Sequence, residues 1–169
     1  MKTKKLKTRK IEIERVSFIS SKPFDTVVAA VRAGVGRLDL AAFSKASKSA
    51  GSFADLEKVI NQDMGKTGLM LFLELDHGSV LKKEMGPDRP KMVRFVIGNP
   101  LVMKEMVKHV PDAGSYAPIT VLVDERPDGI HLTYDRMVGY LSAYKNAKAS
   151  KVAQELDAKV EALLNSAAG

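Results

Sequence analysis

Three short polar elements close apolar runs in this chain: Leu75-Asp76-His77-Gly78, Ile97-Gly98-Asn99-Pro100 and Leu132-Thr133-Tyr134-Asp135. Binding groups concentrate where regular elements end, so the expected ligand-binding residues are Asp76, His77, Gly98, Asn99, Tyr134 and Asp135. His77 offers an imidazole that titrates near neutrality, either as a single acid–base or ligand-contacting group or as a core-edge histidine satisfied by backbone. Asn99, directly before Pro100, reads as a helix N-cap, and the free amides behind such a cap suit an anion. Regular strand alternation turns Asp76 and His77 to opposite faces, so the two do not make an imidazole–carboxylate dyad. Tyr134 reads as a half-buried strand aromatic. None of these groups, alone or together, names a reaction.

Other short patterns carry less. Gly65-Lys66-Thr67-Gly68 resembles half a phosphate-binding loop, but the first glycine of that pattern would fall at Ile60 and the segment precedes a strand-like run instead of following one. Ser79-Val80-Leu81-Lys82 and Ser142-Ala143-Tyr144-Lys145 match a serine–lysine pattern, with its usual third element upstream and no Ser-Asp-Asn between. His109 falls in the last turn of a helix and His131 falls opposite Asp124 in a hairpin, a cross-strand surface pair. With no cysteine and no metal-ligand spacing among the histidines, no metal and no cofactor are expected.

The elements that must position these residues follow from periodicity. Residues 11–20 alternate as a strand with one slip of phase near Arg15, either a bulge or the true start at Val16. Phe24, Val27, Val28, Val31 and Val35 recur at helical spacing after Pro23, with Gly34 and Gly36 as stops. Residues 37–51 offer only Leu38, Leu40 and Phe43 for burial and read as a mobile connection. Ser52 and Asp55 form a capping box for a helix through Ile60, and Leu69 to Leu75 reads as a central strand. A short helical turn is expected after Ser79, a strand from Met92 to Ile97, and a helix from Pro100 to Val110. Arg126-Pro127-Asp128-Gly129 reads as a type I turn that places Val123 opposite Leu132 and Val121 opposite Tyr134. A last helix runs from Ala147 to Leu164.

Charge narrows the partners. Lys2, Lys4, Lys5, Lys7, Arg9 and Lys10 are six of 27 basic residues, which leaves 21 against 20 acidic residues in the remainder. Residues 1–10 are thus expected as a basic flexible tail, and 11–169 as one nearly neutral domain. At 45% apolar, with no run near the roughly 18 residues of a membrane span, the chain reads as soluble, without a membrane partner or signal peptide, and compatible with the cytoplasm. A nucleic-acid role through the tail is the least favoured reading.

The Asp76-His77 strand end, the Gly98-Asn99-Pro100 strand end and the late Tyr134-Asp135 element, in that order from about Val16 to Leu141, resemble the domain-of-unknown-function family 302. Where that family continues its first pair with a small-residue helix and places a proline past the last, Gly78-Ser79 and Arg136-Met137 stand here. The resemblance implies an α+β fold, a two-layer sandwich similar to one half of the TATA-binding-protein fold, with helices packed on one side of a curved, mainly antiparallel sheet. It implies self-association, a homodimer through a sheet edge or apolar helix faces, and no established activity. The expected function is a small-ligand-binding domain without catalysis; the alternative is an enzyme using His77 as acid–base on an anionic small molecule held at the Asn99 helix start. Fourteen residues, Gly78 to Lys91, separate the two strands, enough for a parallel crossover of about 10–12 residues. Strand direction therefore decides whether His77 and Asn99 share an edge.

Overall fold

The computed structural model describes residues 6–169. Along the chain stand β1 (Arg15–Ser20), α1 (Phe24–Gly34), β2 (Gly36–Arg37), α2 (Leu40–Ser49), α3 (Phe53–Gln62), β3 (Met70–Asp76) and α4 (His77–Met85). Then follow β4 (Met92–Gly98), α5 (Pro100–Val107), a 3-10 turn (Pro111–Ser115), β5 (Ile119–Arg126), β6 (Gly129–Asp135), α6 (Met137–Ser142) and α7 (Ala147–Ala168). The strands form one open sheet in the order β1-β6-β5-β4-β3-β2, antiparallel throughout except for the two-residue β2–β3 pairing.

Alternation dictates one buried face. Val93, Phe95 and Ile97 of β4, Val121 and Val123 of β5 and Leu132 and Tyr134 of β6 pack with Val27, Val28 and Val31 of α1, Met106 of α5, and Leu156, Val160 and Leu164 of α7. Helices lie on this side, as expected of an α+β two-layer sandwich. The hairpin register is the one the turn predicts: Arg126 pairs with Gly129, Val123 with Leu132 and Val121 with Tyr134.

Three expectations differ. Only Arg15–Ser20 of the 11–20 run is strand, close to the alternative start at Val16, because its partner β6 ends at Asp135; one further bond, Arg136 N donating to Glu14 O at 2.9 Å, follows before α6 begins at Met137. Residues 37–51, read as a connection, hold the end of β2 and helix α2, whose cap is the Asp39 carboxylate accepting from Ala41 N and Ala42 N. Leu38 is buried with Ile60 and Met70, and Phe43, Leu56, Met64, Phe72 and Leu101 pack against this small second cluster. It is a separate cluster that borders the main core. Of the basic tail, residues 1–5 fall outside the described residues, but Arg9 is anchored: its guanidinium lies 4.0 Å from the centre of the Tyr144 ring and donates to Ala143 O at 2.8 Å.

Candidate functional site

β4 runs antiparallel to β3, with Met70 opposite Gly98 and Asp76 opposite Val93. Asp76-His77 and Gly98-Asn99 therefore stand at opposite ends of the sheet, about 20 Å apart along strands of this length. β4 and β6 are both antiparallel to β5, so Gly98-Asn99 and Tyr134-Asp135 share an edge. The six expected residues do not converge on one site.

Each has a local role. Asp76 caps α4: its carboxylate accepts from Ser79 N at 2.9 Å and from the Ser79 hydroxyl, bonds that hold it below the ordinary carboxylate range. His77 is the first residue of that helix, half-buried, one step past the strand on which alternation was to place it. Gly78 is required by contact, since a Cβ there would lie 2.9 Å from Met92 N. The polar cavity of about 290 Å³ beside this edge is lined by Asp76, Gly78 and Ser79 but not by His77, and its charges are largely spent on one another. Arg32 pairs with Glu74 through two hydrogen bonds, and Lys91 with Asp25 at 2.7 Å.

At the other edge, Asn99 is 8% exposed and committed twice. Its Oδ1 accepts from Leu101 N at 2.8 Å, the expected cap, and its Nδ2 donates to Gly68 O at 2.9 Å, tying α5 to the loop before β3. Tyr134 is not a ligand-facing ring: it points into the helix layer at 1% exposure, and its hydroxyl donates to Asp157 Oδ1 at 2.6 Å. Asp135 faces the uncovered side of the sheet, where Arg15 grips it at 2.6 and 2.9 Å and lowers its pKa.

What the Gly98-Asn99 edge does provide is an apolar cavity of about 180 Å³ where the two hydrophobic clusters meet. Phe72, Met103, Pro118, Ile119, Leu156 and Phe43 of α2 line it. Gly98 lets these walls close: a Cβ would stand 3.1 Å from Pro118 Cβ and 3.5 Å from the Phe72 ring. Phe72 sits at the break in β3–β4 register between Leu71 and Leu73. That break hid it from the periodicity, which treats a strand as regular. Phe43 stood out as one of three apolar residues in 37–51, but the polar composition around it hid the helix that carries it. The cavity walls hold no titratable side chain, and among the described residues no cluster of three or more His, Asp or Glu could hold a metal.

His131 and Asp124 are opposite in register, as expected, but they do not pair and neither is a surface residue. His131 Nε2 stands 2.9 Å from Asp128 Oδ1, and Asp124 takes Arg126 at 2.6 Å. The uncovered sheet face thus carries three arginines, Arg15, Arg94 and Arg126, of which the first and last are neutralised by Asp135 and Asp124.

A family model described as "Domain of unknown function DUF302" matches residues 43–167. The crystal structure of an uncharacterized conserved DUF302 protein from Bacillus stearothermophilus superposes with a TM-score of 0.63 at 9% identity, covering 90% of this chain and 97% of that one, a likeness of fold. No curated protein matches the chain. No helix among the described residues is long and apolar enough to cross a membrane.

Proposed function

Because this chain belongs to the DUF302 family, whose name assigns no activity, we propose from the geometry alone that it binds a small, uncharged apolar ligand at the Gly98-Asn99 edge. The observation that carries this reading is the cavity itself: about 180 Å³, apolar on nearly every side, with its one amide side chain already satisfied. Apolar cavities of roughly 150 Å³ stay dry and accept benzene, so the space suits one ring or a short chain. It is smaller than the roughly 300–1,000 Å³ that drug-sized ligands take.

The walls offer no acid, base or nucleophile, which favours binding over turnover. The enzyme alternative needs His77 and the Asn99 helix start on one substrate, and these stand at opposite edges. The nucleic-acid alternative rests on the basic tail, of which residues 1–5 lie outside the described residues; the open sheet face adds little to it, since two of its three arginines are paired. Self-association has β1 as its edge, with Ile19 55% exposed; sedimentation velocity over a dilution series tests it.

Toluene is the probe for the cavity. In methyl NMR spectra it should shift Val102, Met103 and Ile119 saturably, Met103→Trp should fill the space and abolish the effect, and His77→Ala should leave it intact. Toluene binding that Met103→Trp does not touch would overturn the assignment.

A further inference from the structure

Among the described residues nothing covers the side of the sheet away from the helices, and its outward residues are arranged in rows. Register places Arg94 opposite Leu122, Leu122 opposite Thr133 and Thr133 opposite Ser17, one line across four strands. Thr120 stands beside this line, opposite Val96. Two concavities, of about 250 and 330 Å³, lie over the face and share Arg94, Thr120 and Asp135 in their walls.

Charge on this face is uneven. Arg15 is matched by Asp135 and Arg126 by Asp124, each through two hydrogen bonds. Arg94 is exposed between them and has no carboxylate partner among the described residues. An arginine left without an acid, at the shared wall of two hollows, presents a planar fork of donors to whatever enters. The Thr120 hydroxyl adds a further donor within the same hollows.

The second hollow has an aromatic wall. Tyr116 and Tyr140 stack with ring centres 4.7 Å apart and planes 21° from parallel. The pair is held from behind: Tyr144 donates its hydroxyl to Asp112 Oδ2 at 2.7 Å, leaving its oxygen to accept from the Tyr116 hydroxyl 3.0 Å away. Such a wall extends a stack to one more flat ring at little cost in side-chain ordering.

We propose that Arg94, Thr120 and the Tyr116–Tyr140 stack form a second binding site, on the open sheet face, for a small planar aromatic monocarboxylate. One unmatched cation selects a ligand of one negative charge. A phosphate carries nearly two charges at neutral pH, more than the single unmatched arginine offsets. The carboxylate lies in the plane of its ring, so the fork of Arg94 takes it two-pronged while the ring covers the tyrosines. This site borders the apolar cavity at the Gly98-Asn99 end across Pro118 and Ile119, but its recognition groups, Arg94, Thr120 and the two tyrosines, line only the open-face hollows.

The probe is 2-naphthoate, with uncharged 2-naphthamide as control, titrated in low salt into the ¹⁵N-labelled full chain. Naphthoate should shift the amides of Thr120, Thr133 and Tyr140 saturably, and naphthamide should bind about tenfold or more weakly. Arg94→Ala should weaken naphthoate by about tenfold or more, Arg94→Lys by less because it keeps the charge and loses the fork. Tyr116→Leu should weaken both probes severalfold. Undiminished naphthoate binding by Arg94→Ala, or shifts confined to Val102 and Met103, would overturn the proposal. So would dilution-dependent shifts of Arg94, Leu122 and Thr133 without any probe, which would assign the face to a second copy of the chain. Toluene binding in the cavity should persist in Arg94→Ala, so failure of one site leaves the other standing.

Discussion

The hydroxyl of Tyr134, at the end of β6, donates to the buried carboxylate of Asp157 on α7 at 2.6 Å. The same carboxylate accepts Met137 N at 2.7 Å and Val138 N at 3.0 Å, so Asp157 caps α6 from another helix, where Arg136 at the N-cap position supplies no side-chain bond. Burial pushes the Asp157 carboxyl above its ordinary range and, with the neighbouring carboxylate, raises the Tyr134 hydroxyl far above its own. Strand end and two helices are locked through three hydrogen bonds to one carboxylate.

Removing one partner of this lock should cost more than an ordinary hydrogen bond, since the remaining groups stay buried. Tyr134→Phe is expected to lower unfolding free energy by about 1–3 kcal/mol, and Asp157→Ala, which also strips the cap from α6, by about 3 kcal/mol or more. Urea denaturation measures both. Near-equal midpoints for wild type and Tyr134→Phe would show that the bond contributes little.

Alkaline pH should reveal the same group. Tyrosine in the unfolded chain loses its proton near about pH 10, whereas folded Tyr134 keeps it, so the native state binds more protons and stability falls as pH rises past 10. Tyr140, raised first by burial, and Tyr144, raised first by its bond to Tyr116, act in the same direction. Each fully retained proton contributes about 1.4 kcal/mol per pH unit. Tyr134→Phe should therefore flatten the decline measured by chemical denaturation between pH 9 and 11.

On the acid side the sign reverses for Asp76, Asp128 and Asp135, which are lowered by hydrogen bonds from Ser79, His131 and Arg15, and for Glu105, brought to about 2 by Lys104 and Lys108. Their contribution is present above the ordinary carboxylate range and is lost as pH falls below it and through their lowered folded values. Melting temperature should drop below about pH 4, and Arg15→Ala should shallow that drop.

The two strand-end motifs should separate by stability. Asn99→Ala loses a cap and a buried bond to Gly68 and should cost about 1–2 kcal/mol; Asp76→Ala loses an exposed cap and should cost about 1 kcal/mol. His77→Ala should stay within about 0.5 kcal/mol. Gly78→Ala, pressed against the Met92 backbone, should cost about 2 kcal/mol. A thermal-melt series of the four variants tests this ordering.

Deletion of residues 2–9 removes the Arg9–Tyr144 contact and should cost about 1 kcal/mol or less, the usual worth of an exposed cation over a ring. A loss of many degrees in melting temperature would reveal a larger structural role for this segment.

What the sequence alone determined were the features made by neighbours in the chain. The 3.6-residue stripes of α1, α5 and α7, the caps at Ser52 and Asn99, and the turn that sets the β5–β6 register all depend on groups within a few residues of one another. The direction of β4 against β3 did not, because fourteen residues of connection allow either crossing and only the pairing of whole strands chooses. Phe72 could not be placed without its partner strand, whose register breaks there. Neither could the bond from Tyr134 to a carboxylate 23 residues away, nor the order of α2, which comes from packing Phe43 against a cluster assembled from α3 and β3. The separation of Asp76-His77 from Gly98-Asn99, and the hollows that stand in place of one shared site, are likewise decided by long-range pairing, which local spacing does not encode.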